Sequence, residues 1–186
     1  MSETGPVAVP EWRDFLRGYS EDYLRVASEE ELALLEVAQR KNRWLGDGPA
    51  SEDTVRAAEA RLGVRLPPSY RNFLLVSNGW LMISILPDEL LKVADVRWLP
   101  EADPVLVEIW SGEVDLALDQ CLLVTRPVHP GRWLLDRSAI GPDGEWTAYY
   151  WAPNDGEPPD PYPSFSALMV DAREEFDEYR ASLDLS

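Results

Sequence analysis

The chain is 186 residues long and carries 34 acidic side chains against 17 basic ones, a formal net charge of −17. That balance argues against direct nucleic-acid binding and against anionic membrane surfaces, both of which require clustered Lys and Arg. One cysteine and one histidine exclude an internal disulfide framework and a His/Cys metal centre.

The length suits one domain, and a hydrophobic share of 45% with eight Trp, seven Tyr and four Phe supplies material for a core. The stretch 1–6 lacks the basic start and apolar run of a signal peptide, and no segment approaches the roughly 20 apolar residues of a membrane helix, so a cytoplasmic location is expected. The acid is uneven. Residues 80–120 and 151–186 each hold nine acids and two bases. Two solvated faces, or one acidic surface assembled from both segments, would account for this.

Trp12, Phe15, Leu16 and Tyr19 fall at helical spacing and predict a first helix. Ser28 and Glu31 form a Ser-x-x-Glu capping box ahead of Leu32, Leu35 and Ala38, so a second helix starts near Glu29. Gly46-Asp47-Gly48-Pro49 breaks the chain. A third helix is predicted over 52–62, with Ser51 as N-cap and Gly63 as its stop. A fourth runs over 68–76, opening on Pro68, burying Tyr70, Phe73 and Leu74, and closed by Asn78-Gly79.

Residues 80–86 read as a strand. Asp103-Pro104 is an N-cap followed by a first-turn proline, which predicts a short helix through Trp110; a strand over 105–109 is the alternative. Segments 121–125 and 132–136 flank the turn Pro127–Gly131, and 145–151 follows Gly141-Pro-Asp-Gly144, giving strands joined by turns. Residues 153–163 read as a stiff acidic loop. A last helix is predicted over 165–183 with Ser164 as N-cap and Phe165, Leu168, Met169, Ala172, Phe176, Tyr179 and Leu183 on its apolar stripe. Strands linked by short turns among helices imply an α+β fold: a mainly antiparallel sheet backed by helices on one side.

No constellation for catalysis emerges. His129, the only imidazole, lies in a predicted turn without a Gly-x-Ser-x-Gly elbow. Cys121 opens an apolar run and reads as a buried thiol. Neither Gly-x-x-x-x-Gly-Lys nor Gly-x-Gly-x-x-Gly occurs, and Asn154–Asp160 lacks calcium-loop spacing. No catalytic residue, metal or cofactor is expected. Glu59 stands out because it shares a helical side with Val55 and Leu62, an awkward place for a charge. It either satisfies donors at the start of the next helix, near Tyr70, or faces a ligand.

The run Glu59-Ala-Arg-Leu62-Gly63, then Leu66-Pro67-Pro-Ser-Tyr70, Phe73-Leu74 and Asn78-Gly79-Trp80 resembles the SUKH superfamily, the Smi/Knr-type domain. Trp133-Leu-Leu-Asp136, Asp143-Gly-Glu-Trp146 and Tyr162-Pro-Ser-Phe165 extend the likeness, so that residues 45–186 form the SUKH-like domain and 1–44 a helical extension. The resemblance implies an α+β fold without catalytic residues, in which Glu59, Leu62, Gly63, Leu66, Pro67, Tyr70, Phe73, Leu74, Asn78, Gly79, Trp80, Asp136 and Phe165 serve the fold. It also implies an immunity protein that binds and neutralises a polymorphic toxin with a basic surface, such as a nuclease. A regulatory scaffold and a small-molecule-binding domain are the alternatives. The partner surface is then expected to use Asp88, Glu89, Asp95, Glu101, Asp103, Glu108, Glu113, Asp115 and Asp119, with Trp98 and Trp110 as anchors, because interface energy concentrates in such aromatics.

Overall fold

The computed structural model describes residues 5–81, 89–126 and 130–183. Its elements in chain order are α1 (Val9–Val26), α2 (Glu29–Leu34), α3 (Val37–Asn42), α4 (Glu52–Leu62), α5 (Pro68–Leu74), β1 (Trp80–Leu81), β2 (Glu89–Leu90), β3 (Arg97–Trp98), α6 (Leu99–Ala102), α7 (Pro104–Trp110), β4 (Cys121–Leu123), β5 (Arg132–Ile140), β6 (Trp146–Trp151), β7 (Asp160–Tyr162) and α8 (Phe165–Leu183).

Local chemistry sets most helix ends. Glu11 accepts the Val7 and Ala8 N–H groups at 2.9 Å each and opens α1. At α2, Ser28 Oγ takes the Glu31 N–H at 3.2 Å while Glu31 takes the Ser28 N–H at 2.7 Å, the reciprocal box read from the sequence. That helix does not run on through Ala38 as expected. Leu35 adopts an extended backbone and turns into the core at 3% exposure. Glu36 is also extended, and its N–H is taken by Gln39 at 2.9 Å, which starts α3. Ser51 caps α4 through the Thr54 N–H at 3.1 Å, and Gly63 ends it at φ 70°, a left-handed position that glycine adopts without strain. Ser164 Oγ takes the Ala167 N–H at 3.1 Å at the head of α8.

Five strands form one antiparallel sheet in the order β3-β4-β5-β6-β7, and β1 pairs with β2 in a separate ribbon. Of the strand predicted over 80–86, only Trp80 and Leu81 are among the described residues. The acidic segment 153–163 is not wholly loop. A 3-10 turn over Pro153–Asp155 leads into β7, which pairs with β6 at Ala148↔Tyr162 and Tyr149↔Pro161. Proline is tolerated there because β7 is an edge strand, where one row of N–H groups needs no partner.

The sheet is covered on both faces, not one. Side chains alternate: Leu122, Val124, Trp133, Leu135, Trp146 and Ala148 enter the main core with α1, α4, α5 and α8. Cys121, Leu123, Leu134 and Trp151 enter a second core with Leu99, Leu106 and Leu118. In the main core the Phe165 ring lies 4.8 Å from Tyr70, 5.2 Å from Phe73, 5.7 Å from Trp12 and 6.2 Å from Trp133. Trp12, Leu16 and Tyr19 of α1 are fully buried there. Trp12→Ala is therefore expected to lower unfolding free energy by about 3–5 kcal/mol in urea titration, whereas Val37→Ala, at 73% exposure, shifts it by less than about 0.5 kcal/mol.

Candidate functional site

The second core is roofed by α6, α7 and the segment leading to β4. Asp103 fixes this roof. Its Oδ1 takes the Leu106 N–H at 3.1 Å, with Pro104 at the first helical position, and its Oδ2 meets Arg132 of β5 at 2.8 Å. Leu99 and Leu106 point down to the sheet, and Trp110 packs edge-on against Trp151 at 5.6 Å. What α7 leaves outside is Val105, Glu108 and Ile109, the two aliphatics at 62% and 61% exposure. Glu101, Glu113, Asp115 and Asp119 surround them, all exposed.

Charge on this roof is one-sided. Between Arg97 and Arg126 the chain holds six carboxylates and neither Lys nor Arg. Glu101, Glu108, Glu113 and Asp115 make no ion pair with a described residue, and Asp119 accepts only the amide of neighbouring Gln120, at 2.8 Å. Beneath them, burial raises the Tyr149 hydroxyl above its usual range, helped by Asp136, Cys121 and Asp115. The same roof buries Cys121, whose thiol is pushed far up by burial and then by Asp136 and Asp119, which removes it as a nucleophile.

Not every residue expected on a partner surface is free to serve there. Asp103 is committed to the α7 cap and to Arg132, both partners less than a fifth exposed. Glu89 is held by Arg126 at 2.5 Å. Trp98 donates its indole N–H to the Leu62 carbonyl at 3.2 Å and lies under Arg137, and Trp110 is half-buried against Trp151; both rings pack inward. Asp95 is exposed but sits in the loop before β3, and Asp88 lies outside the described residues, as does His129. The acids of α8 do not join this face: α8 packs on the opposite side of the sheet, where Glu175 is raised by burial and by its neighbours Asp171, Asp160 and Glu178.

The motif residues lie in the main core and its corners. Glu59 takes the Leu66 N–H at 3.1 Å and lies 3.3 Å from Arg71, so it does satisfy the approach to α5, but it does not reach Tyr70, whose buried hydroxyl has no partner among the described residues. Leu62, Leu66, Tyr70, Phe73, Leu74, Trp80 and Phe165 are core residues, and Pro67 precedes α5 as its cap. Asn78 Oδ1 takes the Val93 N–H at 2.9 Å beside Gly79 at φ 119°. Asp136, 3% exposed, accepts the Ser138 N–H and hydroxyl at 2.7 Å each and shapes the irregularity in β5.

Glu145 was not singled out by itself from the sequence. Its carboxylate takes the Ser69 N–H and hydroxyl at 2.7 Å each, across 76 residues, and so caps α5 from the turn before β6. The signal was present as the Asp-Gly-Glu-Trp run, yet nothing local pairs that glutamate with Ser69.

The model of the SMI1/KNR4 family (SUKH-1) matches residues 49–171, from the loop before α4 into α8. The chain belongs to this family. No curated protein matches it. Within this SMI1/KNR4 chain the family match covers the motif-bearing core and both faces of the sheet, the acid-rich roof included. Among the described residues no cluster of three metal-ligating side chains occurs, and no helix is long and apolar enough to cross a membrane.

Two measurements separate framework from surface. Asp103→Ala removes the α7 cap and the ion pair to Arg132 at low exposure, and is expected to cost about 3 kcal/mol in urea unfolding, whereas Glu108→Lys costs less than about 0.5 kcal/mol. Burial raises the Glu145 carboxyl, against the Ser69 hydrogen bonds that lower it. The raised value means that the folded state holds this proton more tightly than the unfolded one. The stability so contributed is present below the ordinary glutamate range and is lost as pH rises through the raised value. The difference in unfolding free energy between wild type and Glu145→Gln should thus move in the wild type's favour as pH falls from neutral to about 4.3, the ordinary glutamate value. A difference that does not change with pH would show that the carboxyl titrates alike in both states.

Proposed function

We propose that this chain is a non-enzymatic immunity protein that binds a toxin domain through the acid-rich roof and blocks it. The single observation that supports the reading most is the pairing of exposed Val105 and Ile109 with Glu101, Glu108, Glu113, Asp115 and Asp119 in a stretch, 98–125, that holds no Lys or Arg. Apolar side chains of this kind provide burial at the centre of a contact, while unpaired carboxylates at its rim steer a cationic partner and set its orientation. Enzymes that cleave nucleic acid present basic clefts, so a nuclease domain is the toxin class that this face complements. Membership in the SMI1/KNR4 family is consistent with a protein-binding role. A protein that acts inside the cell needs no catalytic group for this task, because occlusion alone suffices.

The test is capture from the native lysate with the full chain as bait, at low and moderate salt, with mass spectrometry of what is retained, followed by rate measurements on the recovered toxin. The expected result is a basic toxin domain lost as salt rises. Glu101→Lys, Glu108→Lys, Glu113→Lys and Asp115→Lys combined should then cut the association rate at least about tenfold at low salt, and Ile109→Asp should raise the dissociation rate. An unchanged rate in the charge-reversed variant would exclude this face; retention of housekeeping proteins alone would exclude immunity.

A further inference from the structure

The cations of this acidic chain are mostly committed to internal partners. Arg71 joins Glu52 and Glu59, Arg132 joins Asp103, Arg173 joins Asp22, Arg180 joins Glu31, and Lys92 joins Asp47. Seven of the 17 have no charged or aromatic-ring partner and no side-chain hydrogen bond among the described residues, and five of those seven, Arg13, Arg17, Arg40, Lys41 and Arg43, lie on α1 and at α3. Between these two helices and the loop after α3 is a cleft of about 430 Å³. Its size falls within the range of small-molecule sites, about 300–1,000 Å³.

Arg13 and Arg17 line the cleft one helical turn apart on the exposed side of α1, the spacing at which two side chains share one face. Asn42 lies opposite at the end of α3, and its side-chain amide bonds to no described residue. The floor is apolar: Trp44, Pro49, Leu75 and Val76 contribute to it. The Trp44 indole is set edge-on to buried Trp80 at 5.2 Å and its N–H is given to the Asp47 carbonyl at 3.3 Å, so the ring is held in place. Two carboxylates also line the cleft. Asp47 is neutralised by Lys92 at 3.3 Å, which leaves Glu36 as the one opposing charge against two guanidiniums.

We infer that this cleft binds a small organic anion, a phosphate or carboxylate carried on a flat ring. Two guanidiniums on one helix face recognise the planar or tetrahedral oxyanion, Trp44 and the apolar floor take the ring, and Asn42 and Glu36 take polar substituents on it. The site lies on the main-core side of the sheet, away from the α6–α7 roof, and does not depend on what that roof binds.

The experiment is titration calorimetry on the full chain with adenosine monophosphate, indole-3-acetate and inorganic phosphate, with tryptophan fluorescence followed in parallel. At least one ringed anion should bind at least tenfold more tightly than inorganic phosphate and perturb the fluorescence. The double variant Arg13→Ala/Arg17→Ala, at two exposed positions, should keep the wild-type melting temperature and lose at least tenfold in affinity. Trp44→Phe should keep binding with reduced fluorescence response. No binding of either at millimolar concentration, affinity unchanged in the double variant, or equal binding of inorganic phosphate would each overturn the proposal.

Discussion

Phe165 is the contact on which the two ends of the chain meet. It is the first residue of α8, and its ring touches rings from α1, α5 and β5 within 6.2 Å. These partners come from positions 12, 70, 73 and 133, so the hub closes several long loops at once. Closing a long loop costs chain entropy that grows slowly with length, and buried aromatic area offsets it. The Ser164 cap fixes where α8 starts and thereby where Phe165 sits. Moving that start by one residue would turn the ring off the core face by about 100° of helix rotation.

The Glu145–Ser69 contact plays a second, directional part. α5 begins at a proline and has no side-chain cap of its own. A carboxylate delivered from the turn before β6 accepts the Ser69 N–H and hydroxyl in its first turn and so ties the helix to the sheet. Arg71 on the same helix then joins Glu52 and Glu59 of α4. The motif segments of this SMI1/KNR4 domain are thus wired to one another mainly through backbone donors, which explains why so many of its polar signature residues do not face solvent. Outside that wiring lie the two surfaces proposed to bind: the acid-rich roof over one face of the sheet, and the cation-lined cleft on the side of the other.

The sheet separates these two surfaces. Strict alternation along β4, β5 and β6 sends successive side chains to opposite cores, so each face needs its own cover. α6 and α7 are short, and their inward stripe is narrow. A helix of two turns buries one line of residues and must expose the rest, which is why Val105 and Ile109 stand out at the surface.

The sequence by itself determined α4 to the residue and the start of α8, because these ends are set by caps and glycine within a few positions of the helix, and it marked the motif core because helical periodicity and the family pattern are local. It also located Asp103 as a cap. Tertiary structure alone decided what depends on distant partners: that Asp103 and Glu89 are neutralised by Arg132 and Arg126, that Trp98 and Trp110 turn inward, that α2 breaks at Leu35 to bury it, and that α6 and α7 cover the second sheet face. It also decided that α8, with its acids, packs on the side of the sheet opposite α6 and α7. Charge along a chain is a one-dimensional quantity; whether a carboxylate is free to meet a partner depends on which cation folding brings within about 4 Å of it.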